Sequence, residues 1–437
     1  MKYFFINLIL SIFFVLPDWF LERFFPKKGA FIRNKHLDRQ SKIFLKLIEI
    51  FGYKPNVDNF NNNERINSNK ARMSLNLNKK PPNKFSFKDG ILAEGSDIVI
   101  REYIPDSLAS DKVMLYFHGG GYALGSIETH HNFVASMSVM LGIKVYSLEY
   151  SLSPENKYPK ALEDAKQAYR YILDKGIFSN QVLLCGDSAG AHLAASLNFD
   201  LTESDLPMPS AQILIYPMIS PTLKFESMEL YKENFLLTKS SMEWFWNQLR
   251  SNNNDDLDPR FDLLKQRGLN CNKTSTLIIT AGFDPLCDEG NDYAQFLEKN
   301  GSNISRLHFP DLFHGFVNLT NIRKAEKSTL QIIDSIKVND PKYSSDEVAL
   351  ANLVSVVSDL DTRFEYPEDG KKLNTDGKEL DFMDYEFKGF PLVASLSKMT
   401  KTQNNARYIE NKLLSVILGE IAATTTGGGT LQGYLKT

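Results

Sequence analysis

Short apolar runs alternate with amphipathic segments between about residues 86 and 337 of the chain. Val113 to Phe117 is apolar at every position, which is typical of a strand buried on both faces of a sheet. Further strands are predicted at residues 98–104, 143–148, 182–185, 213–216, 277–281 and 306–309. Because these strands alternate with helices, the pattern predicts an α/β fold with a mostly parallel central sheet flanked by helices.

Two segments of this region depart from the alternation. Residues 220–264 concentrate aromatic side chains around Trp244-Phe245-Trp246, and they are predicted either as a helical cap over a site or as a surface helix packed on the core. Residues 26–85 are predicted as a cap-forming or linker segment. Within them, residues 55–84 are rich in Asn, Lys and Pro, which is typical of a flexible connection.

The C-terminal extension, residues 338–437, lacks the rhythm of a sheet. Its apolar residues have helical spacing at 349–360 and 408–421, and a Thr/Gly tail follows at 424–430. The S-x-x-K pattern of Ser395 to Lys398 has none of the motifs that accompany it in penicillin-binding enzymes, so we interpret it as a chance match. No function follows from the pattern of the extension.

An apolar segment opens the chain within residues 1–25. The run from Tyr3 to Leu16 is shorter than the roughly 20 residues of a membrane-spanning helix. It resembles the core of a signal peptide but has no clear cleavage site, and the basic residues that follow it favour a cytoplasmic body. We expect membrane association, for which an interfacial helix is one possible form, or export; a soluble, buried first helix is the alternative, and the compartment stays open.

Composition excludes several classes of function. The 50 basic and 53 acidic residues give a net charge of −3, and without a long basic block a nucleic-acid partner has no electrostatic support. The three cysteines form no paired framework, and Cys185 is predicted as a buried core thiol. The absence of an H-E-x-x-H pattern argues against a catalytic metal, and no cofactor is expected.

A candidate nucleophile stands in Gly186-Asp187-Ser188-Ala189-Gly190, which fits the G-x-S-x-G pattern. A predicted strand leads into this motif and a predicted helix leads out of it. Such a tight turn exposes the hydroxyl of Ser188, and the amide of Ala189 then points toward a developing oxyanion.

A glycine-rich loop, His118-Gly119-Gly120-Gly121, follows the strand at 113–117. The amides of Gly119 and Gly120 are predicted to complete an oxyanion hole with Ala189, each donor contributing about 3–4 kcal/mol to transition-state stabilisation. A phosphate-binding loop is the alternative, but no Lys-Ser/Thr pair follows. We interpret His118 as a structural donor that holds this loop.

The remaining partners follow from the order Ser, acid, His along the chain. Asp284 follows the predicted strand at 277–281 and is the candidate acid, with Asp288 ranked second. His314 lies in a loop beyond the last strand and is the candidate base. The other histidines receive structural interpretations: His308 as a packed strand residue, His192 as a packing or capping residue, and His130 and His131 as a solvated helix start.

Taken together, these motifs resemble those of the hormone-sensitive lipase family of carboxylic-ester hydrolases. His118, Ser188, Asp284 and His314 stand in the family's order at intervals of 70, 96 and 30 residues. The resemblance covers roughly residues 85–337. Its further motifs are Tyr122, Tyr150 to Glu155, Tyr158-Pro159, Asp284-Pro285-Leu286 with Asp288-Glu289, and His314-Gly315-Phe316.

The resemblance implies an α/β-hydrolase fold, a cap built from the N-terminal segment and an insertion, and cofactor-free hydrolysis of short- to medium-chain acyl or acetyl esters. Two features depart from the family: Ser151 where the family often has Arg, and the extension at 338–437. Two other functions stay open, a catalytically silent ligand-binding protein and a membrane-associated interaction protein that acts through the extension. The oligomeric state and the natural ester are not predicted.

Overall fold

The computed structural model describes residues 10, 14, 31–33, 35–51, 56–75, 78–266 and 274–338. The predictions for the C-terminal extension, for its S-x-x-K pattern and for most of residues 1–25 therefore lie outside the described residues.

An eight-stranded sheet forms the centre of the fold, with the strand order β10-β9-β8-β7-β5-β6-β4-β3. The strands are β3 (Phe85–Ile91), β4 (Val99–Pro105), β5 (Val113–Phe117), β6 (Lys144–Leu148), β7 (Val182–Asp187), β8 (Ala211–Ile215), β9 (Ser275–Phe283) and β10 (Ile304–Phe313). A short hairpin, β1 (Phe31–Ile32) and β2 (Lys35–His36), forms a separate two-stranded sheet.

The sheet is parallel from β6 to β10, and antiparallel where β4 pairs with β3 and with β6. The mostly parallel sheet was predicted, and the α/β-hydrolase fold is confirmed. Strand β3 was not predicted, because its polar residues and its edge position leave most of its side chains exposed. Central strands such as β5, which is buried at every position, give a much stronger apolar signal.

The helices are α1 (Arg39–Phe51), α2 (Asn62–Ser74), α3 (Ile127–Leu141), α4 (Lys160–Asp174), α5 (Ala189–Thr202), α6 (Glu226–Leu230), α7 (Lys239–Leu249), α8 (Cys287–Lys299) and α9 (Arg323–Val338). Two hydrophobic clusters of buried residues accompany the sheet. One contains Leu115 and Phe117 with side chains from α4 and α5, and the other contains Met114 and Tyr116 with side chains from α3 and α9. Alternating residues of β5 thus enter different clusters, as the pleat of a strand requires.

Helix α2 lies within residues 55–84, so the prediction of a flexible connection is wrong for residues 62–74. The side chain of Asn61 accepts hydrogen bonds from the amides of Asn63 and Glu64 at the start of the helix. Asparagine is a poor residue inside helices but a strong N-cap. The Asn-rich composition therefore concealed a helix start.

The segment between β8 and β9 contains α6 and α7. Phe245 of α7 reaches the glycine loop, since a Cβ on Gly121 would lie only 2.1 Å from its ring. The Trp244 ring contacts Phe60, with centroids 4.9 Å apart, and therefore joins the insertion to the N-terminal segment. Trp246 is buried at 1% exposure. These contacts favour the cap over the alternative of a helix that packs only on the core.

Two residues of the apolar opening segment are described. Leu10 is 2% exposed and lies in a hydrophobic cluster of the domain, and the carbonyl of Phe14 accepts a hydrogen bond from Gln40 at 3.1 Å. Among the residues that the structure describes, no helix has both the length and the apolar character needed to cross a membrane.

Candidate active site

Ser188 occupies a strained turn between β7 and α5. Its φ of 56° and ψ of −118° are unfavourable for a residue with a Cβ. The turn is held from both sides: the Ser188 amide donates to the Ile215 carbonyl at 2.8 Å, and a Cβ on Gly190 would lie 2.0 Å from the Phe117 oxygen. The serine hydroxyl is therefore presented at the carboxyl end of the sheet, and its side chain is only half-buried.

His314 bridges Ser188 and Asp284. Its Nε2 lies 2.9 Å from Ser188 Oγ, and its Nδ1 lies 2.8 Å from Asp284 Oδ2. Asp284 is fully buried, and its second carboxylate oxygen accepts the Leu286 amide at 2.8 Å. The three residues come from the ends of β7, β9 and β10, so the topology brings together groups that lie far apart in the sequence. This arrangement suits proton transfer from the serine hydroxyl.

Asp288, the second-ranked acid, is engaged elsewhere. Its two carboxylate oxygens accept hydrogen bonds from the Arg33 guanidinium at 2.7 and 2.8 Å, and one of them also accepts the Ser227 amide. Burial by itself would raise the pKa of Asp288, but Arg33 and Ser227 lower it. Asp288 therefore fastens the N-terminal segment, and the ranking of Asp284 first agrees with the geometry.

The prediction for the glycine loop needs one correction. The amide of Gly119 donates to Asp187 Oδ1 at 2.7 Å, so it is committed to a buried carboxylate rather than to a reacting oxygen. Among the described residues, no group accepts a hydrogen bond from the amides of Gly120 or Gly121. Ala189 is the first residue of α5, where the amide has no partner within the helix. The candidate oxyanion donors are therefore Gly120, Gly121 and Ala189.

Asp187 organises the base of the site. It is 3% exposed and accepts hydrogen bonds from the Tyr116 hydroxyl at 2.6 Å and the Tyr216 hydroxyl at 3.2 Å as well as from Gly119. His130 Nε2 lies 3.4 Å away. Burial alone would raise the pKa of Asp187, but His130, Tyr116 and the Gly119 amide together hold it far below its usual range. A buried anion therefore pulls the glycine loop toward the nucleophile turn.

The remaining histidines are mostly structural. His118 is fully buried, its Nδ1 lies 3.0 Å from the Gly119 carbonyl, and burial lowers its pKa to about 3, which agrees with a role in holding the loop. His192 packs in the interior between the Tyr122 hydroxyl and the Phe261 carbonyl, and burial lowers its pKa to about 4.

Two interpretations of histidines are corrected. His130 lies in the first turn of α3 but is 3% exposed, because its imidazole faces Asp187 rather than solvent. His131 is partly buried, and its Nδ1 lies 3.0 Å from the Tyr103 hydroxyl. His308 lies in β10 but is exposed, with its Nδ1 2.9 Å from Thr280 Oγ1. Within the described ranges, no cluster of His, Cys, Asp and Glu has the arrangement of a metal site.

Helix α2 supports the segment that follows the glycine loop, a contact that the sequence did not indicate. Arg65 donates to the Ala123 carbonyl at 2.8 Å and to the Ser153 carbonyl at 2.6 Å. Asn69 exchanges two hydrogen bonds with the backbone of Gly125, at 2.9 and 3.1 Å. The only signal in the sequence was a pair of polar residues four positions apart, Arg65 and Asn69, in a segment predicted as a linker.

Comparisons with known proteins agree with this geometry. Residues 114–318 match the model of an α/β-hydrolase-fold family. A carboxylic ester hydrolase, LipN of Mycobacterium tuberculosis, is 32% identical over 305 residues, which are 67% of this chain and 80% of the relative. The chain belongs to the family of hormone-sensitive-lipase-like esterases.

Two further relatives extend the comparison. An ethyl acetate hydrolase of Pseudomonas putida is 30% identical over 56% of this chain and 79% of its own length. The crystallised ester hydrolase EH1AB1 from the Lake Arreo metagenome has a TM-score of 0.63 and 28% identity, and the match covers 69% of this chain and 99% of that one. This esterase-family chain is a carboxylic-ester hydrolase of the serine esterase and lipase type.

A separate family model, that of the GldM N-terminal domain, matches residues 322–420. This match covers α9 and much of the extension that the sequence left without a function.

Proposed function

We propose that the protein hydrolyses short- to medium-chain acyl or acetyl esters through an acyl-enzyme formed on Ser188. The observation that carries this proposal is the continuous hydrogen-bonded chain from Ser188 Oγ through His314 to the buried Asp284. Since all three groups are present and aligned, the site has the parts that nucleophilic acyl transfer requires.

In the first step, His314 Nε2 accepts the proton of Ser188 Oγ as the oxygen attacks the ester carbonyl. Asp284 holds the Nδ1–H tautomer and stabilises the imidazolium that forms. The amides of Gly120, Gly121 and Ala189 bind the oxyanion of the tetrahedral intermediate. The alcohol leaves with the proton from His314, and water then repeats the sequence on the acyl-enzyme.

The acyl-chain range is supported by the cap and by the relatives. Phe245 crowds the glycine loop at Gly121, so a bulky group on that side would meet an aromatic ring. The Pseudomonas putida relative is named an ethyl acetate hydrolase, a name that describes a small ester. Each methylene changes selectivity by only about 1–3 kcal/mol, so a graded optimum is expected rather than a sharp limit.

The experiment is hydrolysis of 4-nitrophenyl esters from acetate to palmitate by the full chain and by its Ser188→Ala variant. We expect Ser188-dependent turnover with an optimum at short or medium chain length. A matched control is Ser196→Ala. It removes a hydroxyl from α5, the helix that follows Ser188, and in the wild type this hydroxyl donates to the Arg260 carbonyl. Turnover that survives Ser188→Ala would overturn the assignment of the nucleophile.

A catalytically silent ligand-binding protein is disfavoured because Ser188, Asp284 and His314 are all in place. Well-folded protein without turnover on any ester would reverse that judgement. The interaction protein acting through residues 338–437 stays a proposal, and it is compatible with esterase activity. Deleting these residues is expected to leave hydrolysis unchanged. Because residues 322–420 match a GldM N-terminal domain, the same truncation also tests whether the extension has a separate role.

For residues 1–25 we propose contact with a membrane, or export, on the strength of their apolar run. Burial of Leu10 against the domain supports the alternative of a first helix that packs on the protein. Cell fractionation of the full chain and of a chain lacking residues 1–25 separates the two. Membrane-bound full chain with a released truncation would support the proposal, whereas a truncation that fails to fold would support packing.

A further inference from the structure

One cationic side chain of helix α2 has no role in the site as described so far. Arg72 lies seven residues after Arg65 and three after Asn69, which places it about 20° and 60° from them around the helix. Both of those residues bind the loop that follows the glycines. Arg72 therefore belongs to the helix face that is turned toward this loop.

The loop residue beside Asn69 lies directly against the site. A Cβ on Gly125 would meet the Gly119 carbonyl at 2.2 Å and the His118 Nδ1 at 2.6 Å, and the Gly119 amide in turn contacts Asp187. Arg72 lies three residues, about 4.5 Å along the helix axis, beyond Asn69. Consistent with this placement, its charge acts on both Asp187 and His118.

The guanidinium of Arg72 is open to a ligand. The residue is exposed, and within the described part of the chain its guanidinium forms no ion pair or hydrogen bond. Nevertheless, desolvation lowers its pKa, although Asp187 opposes the change. Arg72 lies about 40° around the helix from Ser68 and 60° from Leu75, which are only 5% and 8% exposed. Its exposed side chain therefore lies at an opening in the packed face of α2. Arginine stays charged in such a place and binds carboxylates through a planar pair of donors.

We propose that Arg72 determines specificity by binding a carboxylate on the substrate, so that the enzyme prefers esters of dicarboxylic acids, or other esters with a carboxylate a few atoms from the scissile carbonyl, over neutral esters of equal length. This inference rests on the proposed ester hydrolysis at Ser188. The substrate would supply the anion that the Arg72 guanidinium lacks among the described residues.

The test compares two esters of the same chain length, 4-nitrophenyl pentanoate and mono-4-nitrophenyl glutarate, in which a carboxylate replaces the terminal methyl. Rates are corrected for spontaneous hydrolysis with the Ser188→Ala variant. We expect Arg72→Gln to lower kcat/KM for the glutarate ester at least about tenfold while the pentanoate ester changes less than about twofold, since one charge-assisted pair is lost. Arg72→Lys should retain part of the preference.

The matched control is Lys70→Gln, because Lys70 is an exposed cation on the same helix but about 200° around it from Arg72. It should change neither ester. An equal ratio of the two esters in wild type and Arg72→Gln would overturn the inference, as would a parallel loss on both esters or an equal effect of Lys70→Gln.

A binding measurement separates this inference from the proposed function. Calorimetric titration of glutarate into Ser188→Ala and into Ser188→Ala/Arg72→Gln does not depend on turnover. Binding that is lost with Arg72 supports the inference even if no ester is hydrolysed, in which case only the proposed function fails. If neither variant binds glutarate while the pentanoate ester is hydrolysed by wild type, the inference fails and the esterase stands.

Discussion

Replacing Asp187 with asparagine removes the negative charge beneath the glycine loop and keeps the size of the side chain. In the wild type, Asp187 accepts three hydrogen bonds, from Tyr116, Gly119 and Tyr216, at 2.6, 2.7 and 3.2 Å, and it faces His130 at 3.4 Å. An asparagine keeps one acceptor oxygen, and its amide nitrogen must face donors. One or two charge-assisted hydrogen bonds of about 1.5–3 kcal/mol each are therefore lost.

We expect Asp187→Asn to lower the free energy of unfolding by about 3 kcal/mol. Catalysis should fall further than stability alone explains. Without the carboxylate, the Gly119 amide is no longer held, and the neighbouring amides of Gly120 and Gly121, which are candidate oxyanion donors, should lose their position. Misplacing one such donor costs about 10²-fold or more in kcat.

The pH dependence of stability gives a second readout for Asp187→Asn. The folded-state pKa of Asp187 is lowered, so its charge contributes stability that is fully present above its unfolded-state pKa of about 4 and is lost as the pH falls toward the folded-state value. The wild type should therefore lose stability below about pH 4 more steeply than the variant. Urea unfolding between acid and neutral pH measures this difference.

The control for Asp187→Asn is Asp164→Asn. Asp164 is also fully buried. It lies in α4 and accepts hydrogen bonds from the Ser151 amide at 2.9 Å and from Lys160 at 2.7 Å. Neither of these hydrogen bonds involves the glycine loop, so Asp164→Asn should lose comparable stability and retain kcat at a temperature where both variants are folded. Equal kcat values for Asp187→Asn and wild type would refute the reasoning that the carboxylate positions the loop.

Three further variants test other parts of the site. Asp284→Asn should reduce kcat by about 10⁴-fold with little change in the circular dichroism spectrum, since the amide no longer enforces the reactive tautomer of His314; unchanged turnover would contradict its role. Gly190→Ala should prevent a stable fold or cost more than about 3 kcal/mol in urea unfolding, because its Cβ would lie 2.0 Å from a backbone oxygen; a normal midpoint would be inconsistent with the turn geometry. Glu289→Gln should lower the free energy of unfolding by less than about 1 kcal/mol at neutral pH. As the pH rises above the ordinary pKa range of glutamate, the variant should lose less stability than the wild type. Glu289 is fully buried and accepts the Ile219 amide at 2.7 Å. Burial raises the pKa of Glu289, so ionisation favours the unfolded chain; a large loss of stability at neutral pH would mean that the carboxylate is needed as an anion.

Several features of this esterase could be predicted from the sequence alone. The strands of the central sheet are short apolar runs, and burial on both faces makes such runs conspicuous. Ser188, Asp284 and His314 each follow one of these runs, so the topology of a parallel sheet was enough to predict that they meet at one edge. The nucleophile turn is also local, because its constraints act between residues only a few positions apart.

The tertiary structure alone decided how the loop around these residues is held. Gly119 was predicted as an oxyanion donor, yet its amide binds Asp187, and no spacing in the sequence distinguishes it from Gly120. His130 appeared solvated at a helix start until the fold placed it opposite that carboxylate. Helix α2 appeared to be a linker until Asn69 was found against Gly125. In each case the deciding energy comes from burying and pairing polar groups that are distant in the chain, and such pairing leaves no periodic pattern in the sequence.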